Sequence, residues 1–268
     1  MRWRPYPITL FDCDSTLSAV EGIDELADSP EKQAAVASLT ESAMDGSMPL
    51  EEVYDQRLSL LSPTRNEIRS VKAQYKANVV PDAKAVIAAL TAAGAEPWII
   101  SGGLSEPVAE FATWLGVDPA RVRAVGTEFN PLTGDWWQGQ TDPHYAKHDG
   151  GHLTTSTGKA DVIRDAVPGS ARRLLVGDGA SDLAANAEVD LFVAYAGVVA
   201  RDTVVTEAPV VITSHSLAPV LALALGPERV TEMLDGPHED VAETCFAEID
   251  AGALHFNDEA LADRFDAQ

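Results

Sequence analysis

Cysteine is nearly absent: Cys13 and Cys245 are the two in 268 residues. Two residues so far apart build neither a disulfide framework nor a zinc spacing, a composition that a reducing compartment accommodates. Basic residues are scarce as well, 19 Lys and Arg against 42 Asp and Glu, for a formal net charge of −23. A nucleic-acid partner requires a positive surface, so that class is excluded, and any phosphorylated ligand must be held by a few local cations. The acidity favours divalent cations and high solubility, and a salt-rich cytoplasm is one setting that produces it. Long apolar runs are missing too: none approaches the ~20 residues of a helical membrane span. Met1 to Pro7 carries two arginines and leads directly into Ile8–Phe11 with no extended apolar stretch or cleavage site. The expectation is a cytoplasmic protein with no membrane partner.

What is present organises into alternating elements. Ile8 to Phe11 is a short apolar run that ends at an acidic turn, the pattern of a buried parallel strand. Ser29 and Ser62 each precede a proline, as N-caps with Pro at the first helical position, so helices are expected over 30–45, 49–61 and 63–77. From Pro81 onward the pattern predicts helix 82–93, strand 97–101, helix 105–115 and strand 121–125. A second set follows: helix 158–167, strand 173–177, helix 180–187, strand 190–194, helix 200–207, strand 209–212 and helix 217–225. Such alternation implies an α/β fold with a doubly wound, mostly parallel sheet. Phe129 to Thr157 is rich in Gly, Trp and His and reads as a hairpin and long loop. Residues 227–268 carry acidic, weakly amphipathic helix patterns, and a packed helical appendage or a partly mobile tail is expected.

Four segments carry chemistry. Asp12-Cys13-Asp14-Ser15-Thr16 closes the first strand, and residues two apart in an extended segment point to one side. Both carboxylates therefore face the carboxyl end of the sheet, where open parallel sheets bind ligands. Trp98-Ile99-Ile100-Ser101-Gly102-Gly103 places a hydroxyl and free N–H groups before a helix, an anion cradle. Gly158-Lys159 opens another helix. Leu174-Leu175-Val176-Gly177-Asp178-Gly179-Ala180-Ser181-Asp182 delivers two more carboxylates through a glycine turn, and paired carboxylates select a hard cation. Any one of these is also an ordinary turn, cap or surface charge; their order and their places at strand ends and helix starts set them apart.

Together the four resemble the motifs of haloacid dehalogenase superfamily phosphatases, over Asp12 to about residue 225. The resemblance implies a Rossmann-like core (1–16 and 79–226), a small helical cap inserted at 17–78, and an appendage at 227–268. Within the superfamily the pattern is similar to the phosphoserine phosphatase family: Glu21-Gly22-Ile23-Asp24-Glu25-Leu26-Ala27 follows the first motif, and Met44-Asp45-Gly46 precedes Arg57-Leu58-Ser59-Leu60-Leu61. That likeness implies a magnesium-dependent phosphomonoesterase acting on O-phosphoserine. Asp12 is then the nucleophile, Asp14 the acid and base, and Lys159, Ser101 and Gly102 hold the phosphoryl group. Glu21 takes the substrate ammonium and Arg57 its carboxylate, while Met44, Leu50 and Ser181 line the pocket. Magnesium is assigned to Asp12, the Asp14 carbonyl and Asp178, with Asp182 supporting the metal shell or Lys159. Leu50 stands where the family usually has an aromatic residue, and Ser181 where Asn is usual. His144, His148 and His152 recur every four residues, but Gly150 and Gly151 interrupt any helix there, so a surface loop is expected rather than a metal site; Trp136 and Trp137 are expected to pack in the hairpin. Two other readings stay open, a phosphatase for a different small phosphorylated metabolite and a non-catalytic phosphate-binding protein.

Overall fold

The computed structural model describes residues 3–44, 47–131, 133, 142–167 and 169–267. Trp136 and Trp137 lie outside these residues, as do Asp45 and Gly46.

The sheet is built on β1 (Ile8–Phe11), β2 (Glu96–Leu104), β3 (Val122–Val125), β6 (Arg173–Gly177), β7 (Leu191–Tyr195), β8 (Val210–Ile212) and β9 (Leu254–Phe256). Their order is β3-β2-β1-β6-β7-β8-β9, parallel throughout except for β9. All four β1 residues are buried because both sheet faces are covered. Period two sorts them: Phe11, Ile99, Val176 and Val193 pack in one apolar cluster, while Leu10, Ile100, Leu175 and Phe192 pack in the other. The first face is covered by α4 (Ala83–Ala92), α5 (Ser105–Leu115) and α9 (Val220–Leu225). On the other lie α6 (Gly158–Ala166), α7 (Ala180–Ala184), α8 (Asp202–Glu207) and part of the helical block α1 (Pro30–Met44), α2 (Leu50–Leu61) and α3 (Arg65–Ala77). This is the doubly wound Rossmann-like architecture.

Several boundaries move. Ser62 does not open α3: it closes α2 in the left-handed region, φ 46°, and its amide donates to the Leu58 carbonyl. Thr64 is the N-cap, reciprocally bonded with Glu67, because the hydroxyl must stand three residues before its partner to form a capping box. Strand β2 runs on through Ser101-Gly102-Gly103 to Leu104, with a register shift against β3 between Ile100 and Leu104, so the expected strand-end loop is an irregular strand end. The helix expected over 180–187 is α7 followed by a 3₁₀ turn, Ala185–Glu188.

Residues 227–268 are more than helices. After α10 (Pro227–Thr231) and α11 (Glu239–Asp250), β9 joins the sheet antiparallel to β8, and α12 (Glu259–Asp266) follows. Trp3 is edge-on to Phe265 at 5.2 Å and to Phe256 at 6.4 Å, which ties this end of the chain to the beginning. A three-residue strand with a single polar residue between Leu254 and Phe256 is too short to register as alternation, and the surrounding acidity masked it.

Between core and helical block stands a hairpin, β4 (Thr127–Asn130) and β5 (His144–His148). Its second strand docks on the α2–α3 turn: the Tyr145 amide donates to the Pro63 carbonyl at 2.8 Å and the Arg65 amide to Pro143 at 3.0 Å. The three histidines take separate partners. His144 Nδ1 meets the Ser62 carbonyl, His148 Nε2 lies 3.2 Å from Asp55, and His152 Nδ1 lies 3.5 Å from Asp161.

Candidate active site

Strand β1 ends at Asp12 beside the end of β6, the Asp12 amide donating to the Val176 carbonyl at 2.9 Å. The first and fourth motifs therefore meet at the carboxyl edge of the sheet. Lys159, delivered by the first turn of α6, is buried between them: its Nζ lies 2.7 Å from Asp12 Oδ2 and 2.7 Å from Asp182 Oδ1. Burial alone would depress this ammonium, but the two carboxylates outweigh it and hold its pKa above the usual lysine value. Gly177 is obligatory here, because a Cβ would stand 2.2 Å from the Asp182 carboxyl carbon.

The two carboxylates of the first motif take different surroundings. Asp12 Oδ1 accepts from the Cys13 amide at 2.7 Å. Asp14 Oδ1 accepts from the Tyr75 hydroxyl at 2.7 Å and the Gly22 amide at 2.9 Å. Burial first, and then the neighbouring Asp12 charge, push the Asp14 carboxyl up to about 7. Tyr75, from α3, was not singled out in the sequence; nothing in a helical Tyr at that spacing distinguishes it from core.

Oxygens of Asp12, Asp178 and Asp182 lie within 4.8 Å of one another, close enough to share one ion. Asp178 accepts from Thr16 Oγ1 at 3.1 Å and, through its other oxygen, from Arg201 Nε at 3.0 Å. Burial raises both Asp178, to about 7, and Asp182, to about 8. A group of three buried carboxylates, all-oxygen donors, fits a hard divalent cation. The Asp14 carboxylate is outside this set, turned to Tyr75 and Gly22.

The sequence-selected substrate residues converge on the same hollow. Asp12, Asp14, Lys159, Glu21 and Arg57 line it, with Gly102, Ser181, Met44, Leu50 and Ile23 completing its wall. Ser101 is fully buried just behind Gly102, its hydroxyl accepting from the Gly103 amide at 2.9 Å. Glu21 Oε1 accepts from Ser15 Oγ at 2.8 Å, and burial together with Asp14 pushes its carboxyl up to about 8. Arg57, on α2, is 3% exposed; its Nη1 donates to Thr40 Oγ1 at 3.1 Å, whose hydroxyl donates in turn to Asp24 at 2.6 Å. Arg57 Nε has no hydrogen-bond partner among the described residues. A buried guanidinium at a pocket wall is suited to receive an anion.

The hollow is closed. Its free volume is about 20 Å³, room for about one water molecule. Helix α2 is tied to β2 where Tyr54 donates to the Gly102 carbonyl at 3.1 Å. Ser156, on the core side, bridges to α2: Leu50 N donates to Ser156 Oγ at 3.0 Å, and Glu51 Oε2 accepts from Ser156 N at 3.0 Å and Oγ at 2.9 Å. Helix α2 begins after Pro49, which has no side-chain acceptor, so its N-cap is supplied from the far side of the cleft. Neither Ser156 nor Arg201 was legible in the sequence, since isolated Ser and Arg residues read as surface.

No family model matches the chain. Among curated relatives, phosphoserine phosphatase of Mus musculus is 32% identical over 197 residues, 72% of this chain and 83% of the relative. That of Drosophila melanogaster is 31% identical over 210 residues, 77% and 74% of the two chains. The chloroplastic phosphoserine phosphatase of Arabidopsis thaliana is 31% identical, over 77% of this chain and 68% of the relative. The solved structure of a phosphoserine phosphohydrolase-like protein from Francisella tularensis superposes with TM-score 0.67 at 24% identity, covering 80% of this chain and 96% of that one. On that sequence likeness, spanning most of both partners, the chain belongs to the phosphoserine phosphatase family of the haloacid dehalogenase superfamily.

Proposed function

We propose that this protein hydrolyses O-phosphoserine to serine and phosphate through an aspartyl phosphate on Asp12, with magnesium bound. The observation that carries the substrate is the placement of Arg57 and Glu21 on one pocket with Asp12 and Lys159. A zwitterionic amino acid needs an anion and a cation at its two charged groups, and the guanidinium of Arg57 on the pocket wall suits its carboxylate. The family membership supports the same activity.

The Asp12 carboxylate attacks phosphorus in line and the P–O bond to serine breaks. Asp14, tethered through Oδ1 and with a pKa near neutrality, gives its proton to the leaving serine oxygen. Water then attacks the aspartyl phosphate, Asp14 takes a proton from it, and phosphate leaves with Asp12 restored. Lys159, Ser101 and the Gly102 backbone hold the phosphoryl oxygens where charge accumulates. Met44 and Leu50 give apolar cover, and the Ser181 hydroxyl takes the place of an amide. Asp12, Asp178 and the Asp14 carbonyl, with Asp182 behind, would hold magnesium, which would offset the repulsion between carboxylate and phosphate. The small phosphorylated substrate is the partner, and the buried, unpaired Cys13 and Cys245 suit a reducing, cytoplasmic setting.

Phosphate release from phosphoserine and a panel of phosphate esters, with and without magnesium, tests the reading. Magnesium-dependent preference for phosphoserine is expected; a stronger turnover of an ester lacking the amino-acid end sinks it. Arg57→Ala is expected to raise the KM for phosphoserine about 10²-fold, from loss of charge-assisted bonds at about 1.5–3 kcal/mol each. An aryl phosphate should keep its KM, because the deletion is remote from phosphorus.

Since a hollow of about 20 Å³ does not admit phosphoserine, helices α1–α3 must swing away for entry. The Ser156 bridge to α2 then breaks. Ser156→Ala should weaken closure by about 1 kcal/mol, the worth of one N-cap. Faster amide exchange in the first turn of α2, by about fivefold, is the expected reading; unchanged protection there refutes it.

A further inference from the structure

Arg201 is the N-cap residue of α8, in the loop after β7, and its side chain is 9% exposed. It reaches back under the site rather than out to solvent. Its Nε donates to Asp178 Oδ2 at 3.0 Å, and its Nη2 stands 3.7 Å from Glu21 Oε1. The other oxygen of Asp178 is held by Thr16, so Arg201 is what fixes Oδ2. One planar guanidinium thus spans the carboxylate assigned to the cation and the carboxylate assigned to the substrate ammonium, a span that the fork of arginine allows and a single ammonium does not.

We propose that Arg201 is a positioning residue that ties Glu21 to Asp178, setting both the strength of divalent-cation binding and the orientation of the ammonium site. The ammonium half rests on the phosphoserine reading; the cation half does not. At Asp178 the guanidinium neutralises charge that a divalent cation would otherwise meet in full, so it moderates cation affinity. At Glu21 it holds the carboxylate in place without blocking its second oxygen, leaving that face to the substrate.

The two effects separate by substitution. Arg201→Ala removes charge and fork together. Binding of Mn²⁺, followed by its electron paramagnetic resonance without substrate, should tighten about tenfold as one positive charge leaves the site. The KM for phosphoserine should rise about tenfold while that for p-nitrophenyl phosphate, which has no ammonium, stays put. Arg201→Lys keeps the charge but not the span: Mn²⁺ affinity should return to the wild-type value and the raised KM for phosphoserine should persist. Unchanged Mn²⁺ affinity in Arg201→Ala overturns the cation half, and an equal loss of kcat on both substrates at constant KM reduces Arg201 to a structural prop. A wild-type protein with no preference for phosphoserine removes the substrate reading instead, and the Mn²⁺ shift still decides whether Arg201 moderates the cation. If Arg201→Ala does not fold, Arg201→Lys alone decides, since a wild-type KM for phosphoserine in that variant is incompatible with a bridging role.

Discussion

Asp12→Asn protein is expected to lose turnover of phosphoserine by on the order of 10⁴-fold or more, the scale seen when a covalent nucleophile is deleted. The substitution is close to isosteric. An Asn carbonyl oxygen still accepts from the Cys13 amide, as Asp12 Oδ1 does at 2.7 Å, so the strand end keeps its shape. What disappears is the second anionic oxygen, 2.7 Å from Lys159, which in the proposed reaction forms the bond to phosphorus. An amide is not a nucleophile at neutral pH, and no other carboxylate stands in for it. Asp14 is tethered to Tyr75 and Gly22, and Asp182 is engaged by Lys159 and the Gly179 amide. Steady-state phosphate release measures the loss, and quenched reactions should show no acid-stable phosphoprotein. A variant that keeps a tenth of wild-type activity from the first minute removes Asp12 from its role, whereas activity that grows on storage reports deamidation back to Asp.

How far this was legible in the sequence follows from what kind of signal each part gives. The sheet was readable because its central parallel strands are buried on both faces and therefore appear as largely apolar runs, as Leu174-Leu175-Val176 does. The catalytic candidates were readable because they sit at the ends of those runs, where polar residues are conspicuous. Asp12, Asp14, Lys159, Asp178 and Asp182 are thus the residues that local pattern exposes. Arg201, Tyr75 and Ser156 are not, since they act on Asp178, Asp14 and Glu51 across 23, 61 and 105 residues of chain respectively, and nothing near them in sequence announces the contact. Strand β9 was missed for a different reason. Its three residues earn their place by closing the β8 edge and burying Phe256 against Trp3, a gain that exists only after the chain's two ends have met. The same limit applied at Ser62, where Ser-Pro suggested a helix start, but the hydroxyl that can reach an N3 amide belongs to Thr64.

Lys159→Met should combine a catalytic loss with a stability loss that depends on pH and on metal. Lys159 is the shared partner of Asp12 and Asp182, all three at or below 5% side-chain exposure, and removing one member of a buried ion pair costs about 3–5 kcal/mol because the charge left behind is uncompensated. For a chain of this size that corresponds to a fall in Tm of roughly 10 °C. The sign of the pH dependence follows from Asp182. Its folded pKa, pushed up to about 8 by burial even with Lys159 pulling it down, lies above the unfolded value of about 4. A carboxyl raised in this way binds its proton more tightly when folded, so its contribution is favourable at low pH and is lost as pH rises through the folded value. Without Lys159 the rise is larger, so the variant goes on losing stability above pH about 8, where the wild type levels off, and the gap between them should widen from there upward. Lys159 itself stays charged there, its pKa being raised, so the wild type gains the full ion pair as Asp182 ionises. Added magnesium should recover part of the lost stability at pH 8, since a cation near Asp12, Asp178 and Asp182 replaces some of the missing charge, while phosphoserine turnover stays depressed by on the order of 10²–10³-fold for want of a phosphoryl-oxygen donor. Thermal unfolding of both proteins at pH 6, 8 and 9, with and without magnesium, reads all of this. A Tm gap that is constant with pH, or indifferent to the metal, means that the three carboxylates do not share a field with Lys159 in the way their geometry implies.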